Sequence, residues 1–173
     1  MCEGRVIYDQ SVHLSPGSQV LESATGSGAW LLALSKEVPT SVKLHGCDIS
    51  PNNFPKAHPD NVQFQVAPAT SLPSDWSNKF DFAHQRLLTA GMPGPDWPTA
   101  VSELFRVVKP GGHIQLLELD CSNIVNAGPS TVRAYSLLSD LFKKRRLLFD
   151  CSRHLQRFAE AAGFVDVRSD KGY

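Results

Sequence analysis

No apolar run in this chain approaches the roughly 18 residues that a membrane-spanning helix needs. The first ten residues, MCEGRVIYDQ, hold no apolar stretch of the kind that marks a secretory signal. The expectation is a soluble, cytoplasmic protein with no membrane partner. Cysteine is sparse: Cys2, Cys47, Cys121 and Cys151 are scattered, form no CxxC pair and stand at no Cys/His ligand spacing. That pattern argues against a disulfide framework and against a zinc or other metal site, and leaves reduced thiols as the default. An excess of one charge is missing too, since Lys+Arg and Asp+Glu stand at 17 each. Nothing therefore draws the chain generally to nucleic acid or to an acidic surface. The one dense basic run, Lys143–Arg146, falls inside a helical pattern and reads as a solvated face. Internal repeats and dividing linkers are absent.

What remains is a globular composition, 42% hydrophobic and 20% charged over 173 residues, which fits one domain spanning 1–173. Short apolar runs alternate with helical patterns. Gln19–Glu22 reads as a buried strand, Ala29–Val38 as a helix ended by Pro39, Val42–Ile49 as a second strand and Val62–Val66 as a third. Phe80–Ala83 is a fourth. Asp96 is placed to cap a helix whose residues Val101, Leu104, Phe105 and Val108 recur at helical spacing. Lys109–Gly112, KPGG, reads as a turn into a fifth strand, His113–Leu119. Thr131–Phe149 reads as a long helix, Arg153–Ala162 as another closed by Gly163, and Phe164–Arg168 as a sixth strand. Alternating strands and helices predict an α/β fold: a single doubly wound, Rossmann-like, mostly parallel sheet with helices on both faces. Such sheets bind ligands at the carboxyl ends of the strands, where the strand order reverses.

The stretch VLESATGSGAW, Val20–Trp30, places a glycine loop at that point. A dinucleotide loop would read GxGxxG; Gly26 and Gly28 supply two glycines, but Leu31 occupies the third position. Asp48 ends the second strand, 20 residues after Gly28, and is placed to accept both hydroxyls of a ribose. Together they suggest an adenosine-type ligand without requiring a pyrophosphate.

Four stretches, VLESATGSGAW, GCDIS, FDFAHQRLL and ELFRVVKPGGHIQLLE, in this order and spacing, resemble the class I S-adenosylmethionine-dependent methyltransferases. The likeness is strongest to the fungal branch associated with secondary metabolism. It implies S-adenosyl-L-methionine as cofactor and a small-molecule acceptor as partner. The family's acidic residue and three alternate glycines fall here on Glu22, Ala24, Gly26 and Gly28. The resemblance implies that this loop, including Thr25, wraps the methionine part, with Glu22 near its ammonium group. Asp48 would hold the ribose and Ile49 the adenine face. Ala69 and Thr70 would border the adenine edge, and His84 and Gln85, leaving strand four, would line the methyl side. Each has a plainer competitor: Glu22 as a helix cap, Asp48 as a turn residue, Ile49 as core.

Three departures stand against the likeness. Ala24 replaces a glycine, at a cost of roughly 1–2 kcal/mol if the position is left-handed. Pro68 stands where many members carry an aspartate for the adenine amino group, leaving Thr70 or Ser71 as weaker substitutes. The family's closing hairpin of strands six and seven implies a sheet that lacks its last strand here. Strand six would then present a bare edge through which a homo-oligomer could form.

Methyl transfer to oxygen or sulfur is helped by a general base, and a free amine needs one less. His84 is the candidate base, against a reading as a strand-end histidine bonded to a neighbouring loop; Glu118 and Asp120 are the other carboxyl-end candidates. Tyr135, Leu138, Leu141 and Phe142 share a helical face that suits core packing or an apolar acceptor. The expected activity is methyl transfer to O, N or S of a small organic acceptor. The alternatives are a methyltransferase-like binding protein without turnover, a cofactor-retaining pericyclase-like enzyme and, last, a nicotinamide oxidoreductase.

Overall fold

The computed structural model describes residues 6–121 and 128–170. Cys2 and part of the segment between the fifth strand and the helix after it lie outside them. Five strands form one sheet: β1 (Gln19–Ser23), β2 (Lys43–Asp48), β3 (Val62–Val66), β4 (Phe80–Arg86) and β5 (Val108–Leu117). Their order is β3-β2-β1-β4-β5 and every pairing is parallel. The chain winds outward from β1 to β3 and then returns to place β4 on the other side of β1. The order therefore reverses between β1 and β4.

Alternation along each strand sorts the core into two layers. Val20, Leu44, Val62 and Phe82 face α1 (Ala29–Leu34) and pack with Trp30, Leu31 and Leu34. Val6, Ile7, Val12 and Leu14 of the N-terminal segment add to that layer. Leu21, Cys47, Phe80 and Ala83 face the opposite way, towards α2 (Trp97–Val107). Behind α2 lies α4 (Leu155–Ala162), with Trp97 stacked on Phe158 at 6.5 Å between ring centroids. Helices cover both faces, as the alternating pattern predicts.

Four boundaries differ from the sequence reading. The first helix ends at Leu34, because the following N–H groups of Lys36 and Glu37 bond three residues back and tighten the chain into turns. β4 runs on to Arg86, so His84 and Gln85 lie within the strand instead of leaving it. KPGG lies inside β5: Phe80 pairs with Val108 and Phe82 with His113, so the extra residues bulge outward. Lys109 Nζ ties the bulge to Asp81 at 2.8 and 2.9 Å, and Asp81 Oδ2 also accepts the Gln19 N–H.

The sixth strand is a correction. Phe164–Arg168 pairs with nothing in the sheet; after Gly163 closes α4 at φ 112, Phe164 packs edge-on against Phe105. Its apolar alternation is spent on the back of α2, where no strand edge is within reach. The outer edge of the described sheet is thus β5. The long helix α3 (Pro129–Lys144) also differs from its reading. Only Phe142 of its apolar face is buried, while Leu138 and Leu141 are exposed. Its basic end is solvated, as expected.

Candidate functional site

β1 ends on two buried polar residues, Glu22 and Ser23, and the chain must then turn sharply to enter α1. It does so by placing alternate residues in the left-handed region: Ala24 at φ 54, Gly26 at φ 55 and Gly28 at φ 69. Ala24 therefore carries the strain of roughly 1–2 kcal/mol that a side chain suffers there. Three backbone donors fix the loop. Thr25 N–H donates to the Cys47 carbonyl, Gly28 N–H to the Thr25 carbonyl and Gly26 N–H to Asp48 Oδ2, each at 2.9 Å. The two glycines do different work. A Cβ on Gly28 would meet Phe64 Cζ at 2.5 Å, whereas one on Gly26 would meet nothing within 4 Å. Gly28 serves packing, and Gly26 borders open space.

Asp48, at the end of β2, joins this loop to the next. Its Oδ1 accepts the Ser50 N–H at 3.1 Å while Oδ2 accepts that of Gly26. A carboxylate offers about four acceptor positions, so two remain. Ile49 is 70% exposed and is no part of the core. The Asp48 carbonyl accepts the Ala67 N–H at 2.9 Å and leads the chain towards Ala69 and Thr70, both half-buried. That loop is clamped from α2: Glu103 accepts the Leu72 N–H at 2.7 Å, and Arg106 reaches Glu103, the Leu72 carbonyl and Ser77. A shallow cleft of about 350 Å³ lies between Thr70, Ser71, Glu103 and Arg106.

Glu22 is only 2% exposed. Burial pushes its carboxyl up to about 7, although the Thr25 hydroxyl donates to it and Arg86 lies nearby. Arg86 closes β4, and its Nε is 3.8 Å from Glu22 Oε1. Strand register brings the two elements together, Glu22 opposite His84 and Ser23 opposite Gln85.

His84 itself is enclosed. It is 1% exposed and stacks on Trp30 at 4.1 Å between centroids, with Nδ1 3.1 Å from the Gln115 carbonyl oxygen. Burial first, and the Arg86 charge second, drive its imidazole down to about 3, so it is neutral throughout the physiological range. Gln85 is equally buried, and neither its amide oxygen nor its amide nitrogen has a partner among the described residues. Glu118 accepts from the Leu88 and Thr89 N–H groups at 2.6 and 3.1 Å and from the Thr89 hydroxyl at 2.5 Å. It anchors the loop after β4, a little beyond the Gln85–Arg86 turn that the sequence suggested. Arg153 donates to Asp120 at 3.0 Å.

The structure thus brings Glu22, Ala24, Thr25, Gly26, Gly28 and Asp48 into one bonded cluster at the reversal point, with Ile49, Ala69 and Thr70 beside it. His84 and Gln85 lie underneath, inside the sheet. Two features escaped sequence reading. Arg86 is one, since only the parallel register shows that it meets Glu22. The other is Leu87, a non-glycine residue held at φ 53 just past β4, which no local pattern announces.

A family described as a methyltransferase domain matches residues 20–112. Among curated relatives, the chain is 40% identical over 116 residues to the N-methyltransferase sirN of Leptosphaeria maculans, covering 66% of this chain and 40% of that protein. It is 33% identical over 173 residues to the N-methyltransferase gliN of Aspergillus fumigatus, covering 95% of this chain and 60% of that one. The chain therefore spans about half the length of the curated relatives it matches. Among solved structures, phosphoethanolamine N-methyltransferase 2 of Haemonchus contortus, in complex with S-adenosyl-L-methionine, superposes with a TM-score of 0.66 at 18% identity. That alignment covers 89% of this chain and 34% of the other and bears on the fold.

Proposed function

Because the chain belongs to the methyltransferase-domain family, we propose that it binds S-adenosyl-L-methionine at the β1–β4 reversal point and transfers its methyl group to a nitrogen of a small organic acceptor. The observation that carries this reading is the bond from the Gly26 N–H to Asp48, with open space on the Gly26 side. It sets a bare main-chain edge beside a carboxylate that has acceptor capacity left for a diol. The residues fit the cofactor. Asp48 would take the ribose hydroxyls, exposed Ile49 the adenine face, Ala69 and Thr70 its edge, and Glu22 the ammonium group. The Thr25–Gly28 loop would border the methionine chain.

When bound, the cofactor supplies a methyl group already activated as a sulfonium, so the protein's work is placement and exclusion of water. The loop after β4, held by Glu118, would shape the methyl side. The three candidate bases are committed elsewhere: His84 stacks on Trp30, Glu118 bonds the Leu88–Thr89 backbone and Asp120 bonds Arg153. We therefore assign no base role to His84 and place it, with Gln85, in the floor beneath the site. An acceptor nitrogen suits such a site, since a neutral amine attacks without losing a proton first. The names of the relatives, N-methyltransferases, support the same acceptor and the setting of fungal secondary metabolism.

Calorimetry with S-adenosylhomocysteine tests the reading, followed by transfer of labelled methyl groups to amine, hydroxyl and thiol panels. No binding at millimolar ligand removes it, and transfer confined to hydroxyl or thiol acceptors removes the nitrogen assignment. Asp48→Ala is expected to weaken S-adenosylhomocysteine by about 1.5–3 kcal/mol, the range for hydrogen bonds to a charged group. An unchanged affinity would overturn the ribose role.

A further inference from the structure

The Arg86 guanidinium stands at the carboxyl end of β4 without a commitment of its own. It is 35% exposed, and its nearest charged neighbour is Glu22 Oε1, 3.8 Å from Nε. That separation is an ion-pair distance but not a hydrogen bond. Among the described residues the side chain donates no hydrogen bond at all, although a guanidinium offers five donors in a planar fork. Arg106 shows what a committed arginine looks like in this protein: its fork is filled by Glu103, Ser77 and the Leu72 carbonyl.

Glu22 is under-compensated in its turn. It is almost fully buried, receives the Thr25 hydroxyl and has Arg86 only at a distance. Its carboxyl is pushed up to about 7, so the nearby guanidinium does not offset the loss of hydration. Two opposite charges thus lie side by side at the ends of adjacent strands, each underused by the other, and the open side of the Gly26 loop is next to them. A ligand end that carries an ammonium and a carboxylate on one carbon matches that pair with both signs satisfied.

We infer that Arg86 is a specificity residue of the site. It accepts the carboxylate of the ligand's amino-acid end while Glu22 takes the ammonium, so that the pair opens onto a zwitterion and discriminates against nucleosides that lack one. This rests on the cofactor reading above. The discrimination comes from geometry as well as charge, because a planar fork can hold a carboxylate through two parallel bonds and an ammonium cannot.

A ligand-by-residue cycle tests the inference. S-adenosylhomocysteine and its decarboxylated analogue, which keeps the ammonium and loses only the carboxylate, are titrated into the wild-type chain, Arg86→Gln and Arg86→Lys. Thermal unfolding of each variant checks that it is folded. Arg86→Gln is expected to weaken S-adenosylhomocysteine by roughly 10- to 100-fold and to leave the decarboxylated analogue within about twofold. Arg86→Lys is expected to fall between, since it keeps the charge without the fork. Equal losses for the two ligands would overturn the inference, because Arg86 would then act through Glu22 and the ammonium; an unchanged affinity for both would overturn it too. Failure of the wild-type chain to bind either ligand would instead bring down the cofactor reading, and this inference with it.

Discussion

Two glycines two residues apart in the β1–α1 loop should respond to the same substitution in opposite ways. Gly28→Ala sets a methyl against the Phe64 ring and keeps φ at 69, so it combines a clash with left-handed strain. It is expected to cost about 2–4 kcal/mol of stability by urea unfolding. Gly26→Ala meets no neighbour and should cost only the strain of roughly 1–2 kcal/mol. Its effect should appear in titration, where the added methyl occupies ligand space and S-adenosylhomocysteine binding is lost. Glu22 sets a pH dependence at the same scale. Below its ordinary value of 4.5 the carboxyl is neutral in both states and carries no penalty. Between there and about 7 the unfolded chain releases the proton while the folded one keeps it, so stability falls as pH rises. Glu22→Gln should remove about 3 kcal/mol of that loss, read as the difference between variant and wild type at pH 5 and pH 8. Taking the difference matters, because buried neutral His45 and His84, lowered to about 4 and 3, impose the reverse slope. Their contribution is full above 6.5 and is lost as pH falls.

At the scale of elements, the bulge in β5 explains how an edge strand is held in register. Gly112 packs where a Cβ would lie 2.7 Å from Val108 Cγ1 and 2.9 Å from the Asp81 carbonyl oxygen. The second of these is backbone and cannot step aside. Gly112→Ala is expected to destabilise by roughly 1–3 kcal/mol, with the loss reported by the urea midpoint. The sequence could show that KPGG interrupts an apolar pattern, and glycine-rich interruptions read equally as a turn or a bulge. Only the pairing of Phe82 with His113 decides between them. The same limit misplaced the end of α1: Ala29–Val38 is apolar at helical spacing throughout, yet the last turn tightens, a change that side-chain periodicity does not encode.

For the whole molecule, what was legible in the sequence is what depends on local pattern. The five parallel strands, helices on both faces and the loop at the reversal point all follow from alternation of apolar runs with glycine and proline breaks. The acidic residue ending β2 could be singled out because its spacing from Gly28 is fixed by one strand–helix–strand unit. Phe164–Arg168 failed as a strand because its alternating residues find the back of α2 instead of a sheet edge, a tertiary choice. His84 was misjudged for the same reason: its residue type suggests a titrating base, while its enclosure by Trp30 makes it a neutral packing group. Arg86 was overlooked since its meaning lies in a residue 64 positions away.

Cys47 lies under the loop that it helps to hold, with its carbonyl bonded to Thr25 and its thiol pushed up to about 12 by burial. A haloacetamide at neutral pH should therefore leave it untouched until β2 is uncovered, while half-exposed Cys121 reacts early. The alkylation rate at Cys47, followed by peptide mass spectrometry, becomes a built-in clock for the opening of this end of the sheet. Saturating S-adenosylhomocysteine is expected to slow that clock, and a rate indifferent to the nucleoside would mean that the loop is not where it binds.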